Sequence, residues 1–124
     1  MHYCNKDIGY FGETIATNYI KNQGYIILEK NFRCKLGEID IIAKDKNFIV
    51  FIEVKTRYSS FYGSPSESIT FRKQNKIYKT AQLYIINRNI YNKFYFRFDV
   101  IEVVLNTSDN NYSVNFIKML FKYN

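Results

Sequence analysis

The chain has 124 residues, with 18 Lys and Arg against 11 Asp and Glu and a formal charge of +7 at neutral pH. Its 47% hydrophobic and 23% charged content is that of a globular protein and excludes a disordered chain, and the length suits one domain, 1–124. No apolar run approaches the roughly 18–20 residues of a membrane helix, the first residues lack an apolar signal core, and two distant cysteines with one histidine (Cys4, Cys34, His2) make neither a disulfide framework nor a zinc set. A cytoplasmic protein without membrane association is the expectation. Abundant Ile, Lys, Asn, Tyr and Phe with few Arg match an AT-rich genome, which inflates lysine and discounts the charge as a functional signal.

In chain order, Ile15, Ala16, Tyr19 and Ile20 recur at helical spacing and predict a helix over 8–23, which Gly24 terminates. Residues 25–30 read as a short strand and 31–35 as a basic connection. Glu38–Lys44 and Phe48–Thr56 are two strongly β segments joined by the turn residues Asp45-Lys46-Asn47, hence a hairpin. The second is apolar on both faces up to Ile52, the pattern of a central strand. A loop over 57–64 leads to Ser64-Pro65-Ser66-Glu67, which matches a capping box, and a short helical turn. Thr70 then caps a helix over 71–88, a polar turn fills 89–93, a long strand runs over 94–105, and a turn precedes a last strand over 112–121. This order predicts an α/β fold with a mixed central sheet flanked by helices.

The residues that carry chemistry lie on the hairpin. Glu38 and Asp40 share one strand face, as do Glu53 and Lys55. The register that pairs Ala43 with Val50 sets Asp40 opposite Glu53, bringing two carboxylates and an ammonium to one face; a one-residue slip would separate them. Adjacent carboxylates resist ionising together, and a divalent cation resolves the conflict. Mg²⁺ takes one or two protein carboxylates and keeps waters for a phosphate substrate, and such an ion promotes attack on a phosphodiester. The same charges also fit the solvated face of an ordinary hairpin, although Glu53 and Lys55 continue a strand that reads as buried, where charges need partners.

Arg72, Lys73, Lys76 and Lys79 are four cations with no acid between them, and with Lys30, Arg33, Lys35 and Arg57 they suit nucleic-acid phosphates. A solvated helix face is the alternative for the α-helical set. Tyr58, Phe61 and Tyr62 are placed to stack on unpaired bases or to pack their loop onto the core.

These pieces together resemble the YraN-like family of small bacterial proteins within the PD-(D/E)xK nuclease superfamily. The matching stretches are Gly12-Glu13, Asn31-Phe32-Arg33-Cys34, GEIDIIA (37–43), FIEVKTR (51–57), YGSPSESIT (62–70), RKQ (72–74) and RFDVIEV (97–103). The resemblance implies a restriction-endonuclease-like core holding Mg²⁺ or Mn²⁺ on Asp40, Glu53 and the Val54 carbonyl, with Lys55 as the catalytic lysine. It also implies that Glu13 is an added helix acid, as in archaeal-type junction resolvases, and that Gln74 belongs to the site. The superfamily's proline before the aspartate is Ile39 here. Gln74 and Tyr78 match a Q-x-x-x-Y pattern of some superfamily exonucleases, which equally describes a surface Gln beside a core Tyr. The expected function is metal-dependent hydrolysis of DNA, in preference to RNA, on branched or repair intermediates among other substrates. A homodimer would fit, since junction resolvases act as dimers. A non-catalytic nucleic-acid-binding module and an interaction subunit needing a partner are the competing functions.

Overall fold

A computed structural model describes residues 5–59, 70–106 and 111–123. Its elements are α1 (Asn5–Asn22), β1 (Ile26–Cys34), β2 (Gly37–Asp45), β3 (Phe48–Tyr58), α2 (Phe71–Arg88), β4 (Tyr95–Leu105) and β5 (Tyr112–Tyr123). Order and type agree with the sequence reading. The Ser64–Glu67 capping box, the helical turn after it, Phe61 and Tyr62 lie outside the described residues.

The five strands form one sheet in the order β1-β2-β3-β4-β5. β1, β2 and β3 are an antiparallel meander, β3 and β4 run parallel, and β4 and β5 are antiparallel. A parallel pair needs a crossover, and α2 supplies it. β3 is the inner strand that the apolar run predicts: Ile49, Val50, Phe51 and Ile52 are all buried. Alternation sends Val50 and Ile52 into a core with Ile15, Ala16 and Ile20 of α1. Ile49 and Phe51 enter a second core with Ile77, Ala81, Tyr84 and Ile85 of α2. The mixed sheet thus has one helix on each face, an architecture consistent with an α/β nuclease-like core.

The helix ends follow their sequence signals. Gly24, at φ 93, closes α1: its N–H bonds the Lys21 carbonyl at 3.0 Å and the Tyr25 N–H bonds that of Ile20 at 3.0 Å. Thr70 caps α2, its Oγ1 accepting from the Lys73 N–H at 3.1 Å. Neither described helix is long and apolar enough to cross a membrane.

Three boundaries differ most: α1 begins at Asn5 and not at 8, β3 runs on through Tyr58 into the expected loop, and β1 is longer than expected. The expected connection 31–35 is strand as far as Cys34, paired to β2 through Phe32↔Ile39 and Cys34↔Gly37. Asn31 interrupts the pattern at φ 54, a left-handed conformation that asparagine tolerates, and the ladder resumes beyond it.

α1 is seated on β3 by a close approach. A Cβ on Gly12 would overlap the side chain of Thr56, meeting its Cβ at 2.9 Å and its Cγ2 at 3.0 Å. Alanine there gains about 1 kcal/mol of helix propensity, but Thr56 Cβ cannot rotate away, so overlap decides the sign. We expect Gly12→Ala to lower stability in urea unfolding by about 1–3 kcal/mol, part of it restored by adding Thr56→Ala. A neutral Gly12→Ala would show that α1 is not held at this point.

Candidate active site

The β2–β3 ladder has the expected register, Ala43↔Val50 through Ile41↔Ile52, and then stops. Where the next pair would oppose Asp40 to Glu53, the Val54 N–H donates instead to Asp40 Oδ2 at 2.8 Å. The strand switches faces at this residue: Ile39 packs in the α2-side core and Ile41 in the α1-side core, whereas strict alternation would keep them together. On β1, left-handed Asn31 lies between the partners of Ile39 and Ile41, so the irregularity spans both strands. Asp40 is therefore not the simple cross-strand partner of Glu53. It reaches the strand edge beside it, and because N–H and C=O of one extended residue leave on the same edge, the Val54 carbonyl belongs to that edge too.

The two carboxylates are close enough to oppose each other's ionisation. Burial, then the charge of Glu53, pushes the Asp40 carboxyl up to about 7, against the Val54 hydrogen bond, with smaller contributions from Glu13 and Glu38. Glu53, whose side chain is 12% exposed, carries two ammonium groups on one oxygen: Lys73 Nζ at 2.8 Å and Lys55 Nζ at 3.7 Å from Oε1. Burial and then the neighbouring Lys73 lower the Lys55 pKa, while Glu53 and Asp40 work the other way. For Lys73 burial also acts downward, but the hydrogen bond and charge of Glu53 leave it raised. Glu13 comes from α1, next to the seating residue Gly12, and its Oε1 is buried with no hydrogen-bond partner among the described residues.

Asp40, Glu53, Lys55 and Glu13 thus belong to one neighbourhood. Among the described residues no three of His, Cys, Asp and Glu stand close enough to hold a metal together, so the donor set is two carboxylates of β2 and β3. All are hard oxygen donors. That chemistry, and the orphaned Glu13 oxygen, fit a cation such as Mg²⁺, which is satisfied by one or two carboxylates plus water and phosphate.

The basic residues divide. Lys73 and Arg57 are drawn into ion pairs, Lys73 with Glu53 and Arg57 Nε with Glu102 Oε2 at 2.8 Å. Arg33 meets Glu38 at 3.0 Å on the surface. Lys35, Arg72, Lys76 and Lys79 are exposed. The backbone of Gly37 lies against α2 at Thr80 and Lys76, which brings the β1–β2 hairpin tip beside the helix cations. Gln74 is half-buried one residue beyond Lys73, whereas Tyr78 packs on Phe98 with ring centroids 6.2 Å apart, so the Tyr of the Q-x-x-x-Y pattern serves the core. Tyr58 packs against the α1-side core, the second of its two expected roles.

Glu102 is the residue that the sequence reading missed. It is 1% exposed on β4, a register partner of Lys55, held by Arg57 and by Asn115 Nδ2 at 3.0 Å. Its signal was available: a charge inside the apolar run of β4, the same anomaly that marks Glu53.

The model of the uncharacterised protein family UPF0102 matches residues 12–103, a span that contains every acid of this neighbourhood. A UPF0102 protein of Clostridium botulinum (strain Kyoto / Type A2) is 84% identical over 98% of this chain and 99% of its own length. One of C. botulinum (strain 657 / Type Ba4) is 80% identical, and one of Clostridium tetani (strain Massachusetts / E88) 56% identical, each over the same shares.

The raised Asp40 pKa has a consequence for stability. In the unfolded chain this group ionises near its ordinary value of 3.8, and in the fold only near 7. Its contribution is therefore fully present below pH 4, is lost as pH rises to 7, and is flat above. Asp40→Asn keeps an acceptor for the Val54 N–H without the charge. We expect its thermal midpoint, in metal-free buffer, to match the wild type near pH 4 and to exceed it by several degrees at pH 7–8. A gain independent of pH would refute the assignment.

Proposed function

The chain belongs to the UPF0102 family, and we propose that it is a divalent-metal-dependent nuclease that hydrolyses DNA phosphodiester bonds. The observation that supports this most is the pairing of Asp40 and Glu53 at the break of the β2–β3 ladder, two carboxylates kept together although burial and mutual repulsion hold Asp40 near pKa 7. The lysines on Glu53 leave Asp40 uncompensated, so a divalent cation shared by the two carboxylates would relieve the repulsion.

Asp40 and Glu53 would hold Mg²⁺ or Mn²⁺, with the Val54 carbonyl on the same edge. The ion, when bound, supplies charge opposite the developing phosphate charge and lowers the pKa of water. The Val54 N–H fixes the Asp40 carboxylate. Lys55, on the same strand face as Glu53, is placed to orient the attacking water or to neutralise the phosphate as charge builds on it. Arg57 is held beside Lys55 by buried Glu102, which limits its movement at the strand end. Exposed Lys35, Arg72, Lys76 and Lys79 suit backbone phosphates, an interaction without sequence information and steeply salt-dependent.

The test is cleavage of linear, flapped and four-way DNA with Mg²⁺ or Mn²⁺. Asp40→Asn and Lys55→Ala should each reduce turnover by about 100-fold or more, and retained cleavage in either clean preparation would overturn the roles. Lys76→Ala and Lys79→Ala should weaken DNA binding and lower its salt slope by about one each while leaving kcat in place.

The Lys73–Glu53 contact favours a second reading, a nucleic-acid-binding module whose acids are already neutralised by lysine. Salt-sensitive DNA binding with no heat of Mn²⁺ binding would decide for it.

A further inference from the structure

The cation nearest to Glu53 is not the lysine of its own strand. Lys55 Nζ stands 3.7 Å from Glu53 Oε1, whereas Lys73, from the first turn of α2, reaches the same oxygen at 2.8 Å. The backbone of Lys73 is anchored, its N–H on the Thr70 hydroxyl at 3.1 Å. The ammonium is not anchored in the same way. It ends a four-carbon stem with three rotatable donors, and its side chain is 38% exposed against 12% for Glu53. It can leave the carboxylate for solvent without moving the helix. Arg57 lacks this freedom, since its partner Glu102 is buried.

A divalent ion ligated by Glu53 would stand within a few ångströms of the Lys73 ammonium on the same carboxylate, and in this partly desolvated place the two cations repel, so they compete for it. Building on the reading of the Asp40–Glu53 cluster as a divalent-ion site, we infer that Lys73 is its internal counter-ion. In the metal-free protein Lys73 neutralises Glu53. Metal entry displaces it, and the released ammonium stands at the N-terminal turn of α2, beside the two carboxylates, where it meets the substrate phosphate. Lys73 is thus a positioning residue that couples ion binding to phosphate recruitment.

The experiment is calorimetric titration of Mn²⁺ into the full-length protein without nucleic acid, for wild type, Lys73→Met, Lys76→Met and Asp40→Asn. Lys73→Met should bind Mn²⁺ roughly fivefold more tightly than wild type, the competition of a partly exposed ion pair. Lys76→Met, on the exposed helix face, should change the affinity far less, and Asp40→Asn should abolish the heat. If wild type binds Mn²⁺ and Lys73→Met binds it equally or more weakly, the counter-ion role is overturned while the metal site stands. If neither binds, both are overturned. A measurement on the unsubstituted protein guards against a folding defect in the variant: Mg²⁺ should raise the rate at which Lys73 is acylated by an amine-reactive reagent, read by peptide mass spectrometry against Lys76 and Lys79. An unchanged Lys73 rate would equally overturn the role.

Discussion

The site depends on one hydrogen bond. At Val54 the backbone N–H that would continue the β2–β3 ladder bonds the Asp40 carboxylate. A side chain has replaced a main-chain acceptor, which satisfies the amide and ends the pairing at the same residue. Beyond it β3 leaves β2 but stays with β4 as far as Tyr58↔Leu105. The strand segment holding Glu53, Lys55 and Arg57 is thereby half in the sheet: rigid on the β4 side, open on the β2 side. Polar side chains can gather at that open edge without the sheet losing an amide partner. The face switch between Ile39 and Ile41, matched by left-handed Asn31 on β1, is what turns Asp40 toward that edge.

The same chain handles buried charge in two ways. Near the start of β4, Arg97 is enclosed with Asp99, Nε bonding both carboxylate oxygens at 3.0 and 3.1 Å, while its Nη2 reaches Tyr25 Oη at 2.8 Å and Asp45 at 3.3 Å. Burial pushes the Tyr25 hydroxyl up to about 12, so the phenol stays neutral and accepts from the guanidinium. This network is closed: cation and anions meet inside the fold, as buried charges must to be tolerated. At the other end of β3 the accounting is open. Asp40 is held from ionising in the ordinary range, a Glu13 oxygen is buried with no hydrogen-bond partner among the described residues, and the lysines that neutralise Glu53 are partly exposed. The contrast separates a cluster whose charges are matched inside the fold from one whose charges are matched only in part.

Much of this was legible in sequence, for local reasons. The double-sided apolar run of β3 can only be an inner strand, the Asp45-Lys46-Asn47 turn fixes the hairpin, and hairpin plus alternation fix the register that brings Asp40 near Glu53. Thr70 and Gly24 carry their cap roles in their own chemistry. What escaped is non-local. Strand pairing with Ile39 and Gly37 extends β1 through a stretch whose composition reads as a basic connection. The ladder break is a competition between a carboxylate and a carbonyl for one N–H, which alternation does not encode. Lys73 and Arg57, read as phosphate contacts from charge alone, acquire acidic partners because α2 and β4 pack where they do. Glu102 differs, since its isolated charge within the β4 run was a visible anomaly.

The net charge of +7 and the acidic pair Asp40 and Glu53 act at different ranges. Exposed cations on α2 and the β1–β2 tip are felt by a polyanion out to the Debye length, about 8 Å at physiological ionic strength. Inside that distance a phosphate approaching β3 meets Asp40 and Glu53, and a bare pair of carboxylates would repel it. Long-range attraction and short-range repulsion are reconciled only if the acids are neutralised before the phosphate arrives. The fold provides that neutralisation in part, through the lysines on Glu53 and the raised pKa of Asp40. In the proposed reading a divalent ion completes it, and since the ion and a phosphodiester then attract each other, each raises the affinity for the other. The acids are therefore not an exception within a basic protein. In that reading they are the component that would make its basic surface selective for a phosphate that comes with a cation.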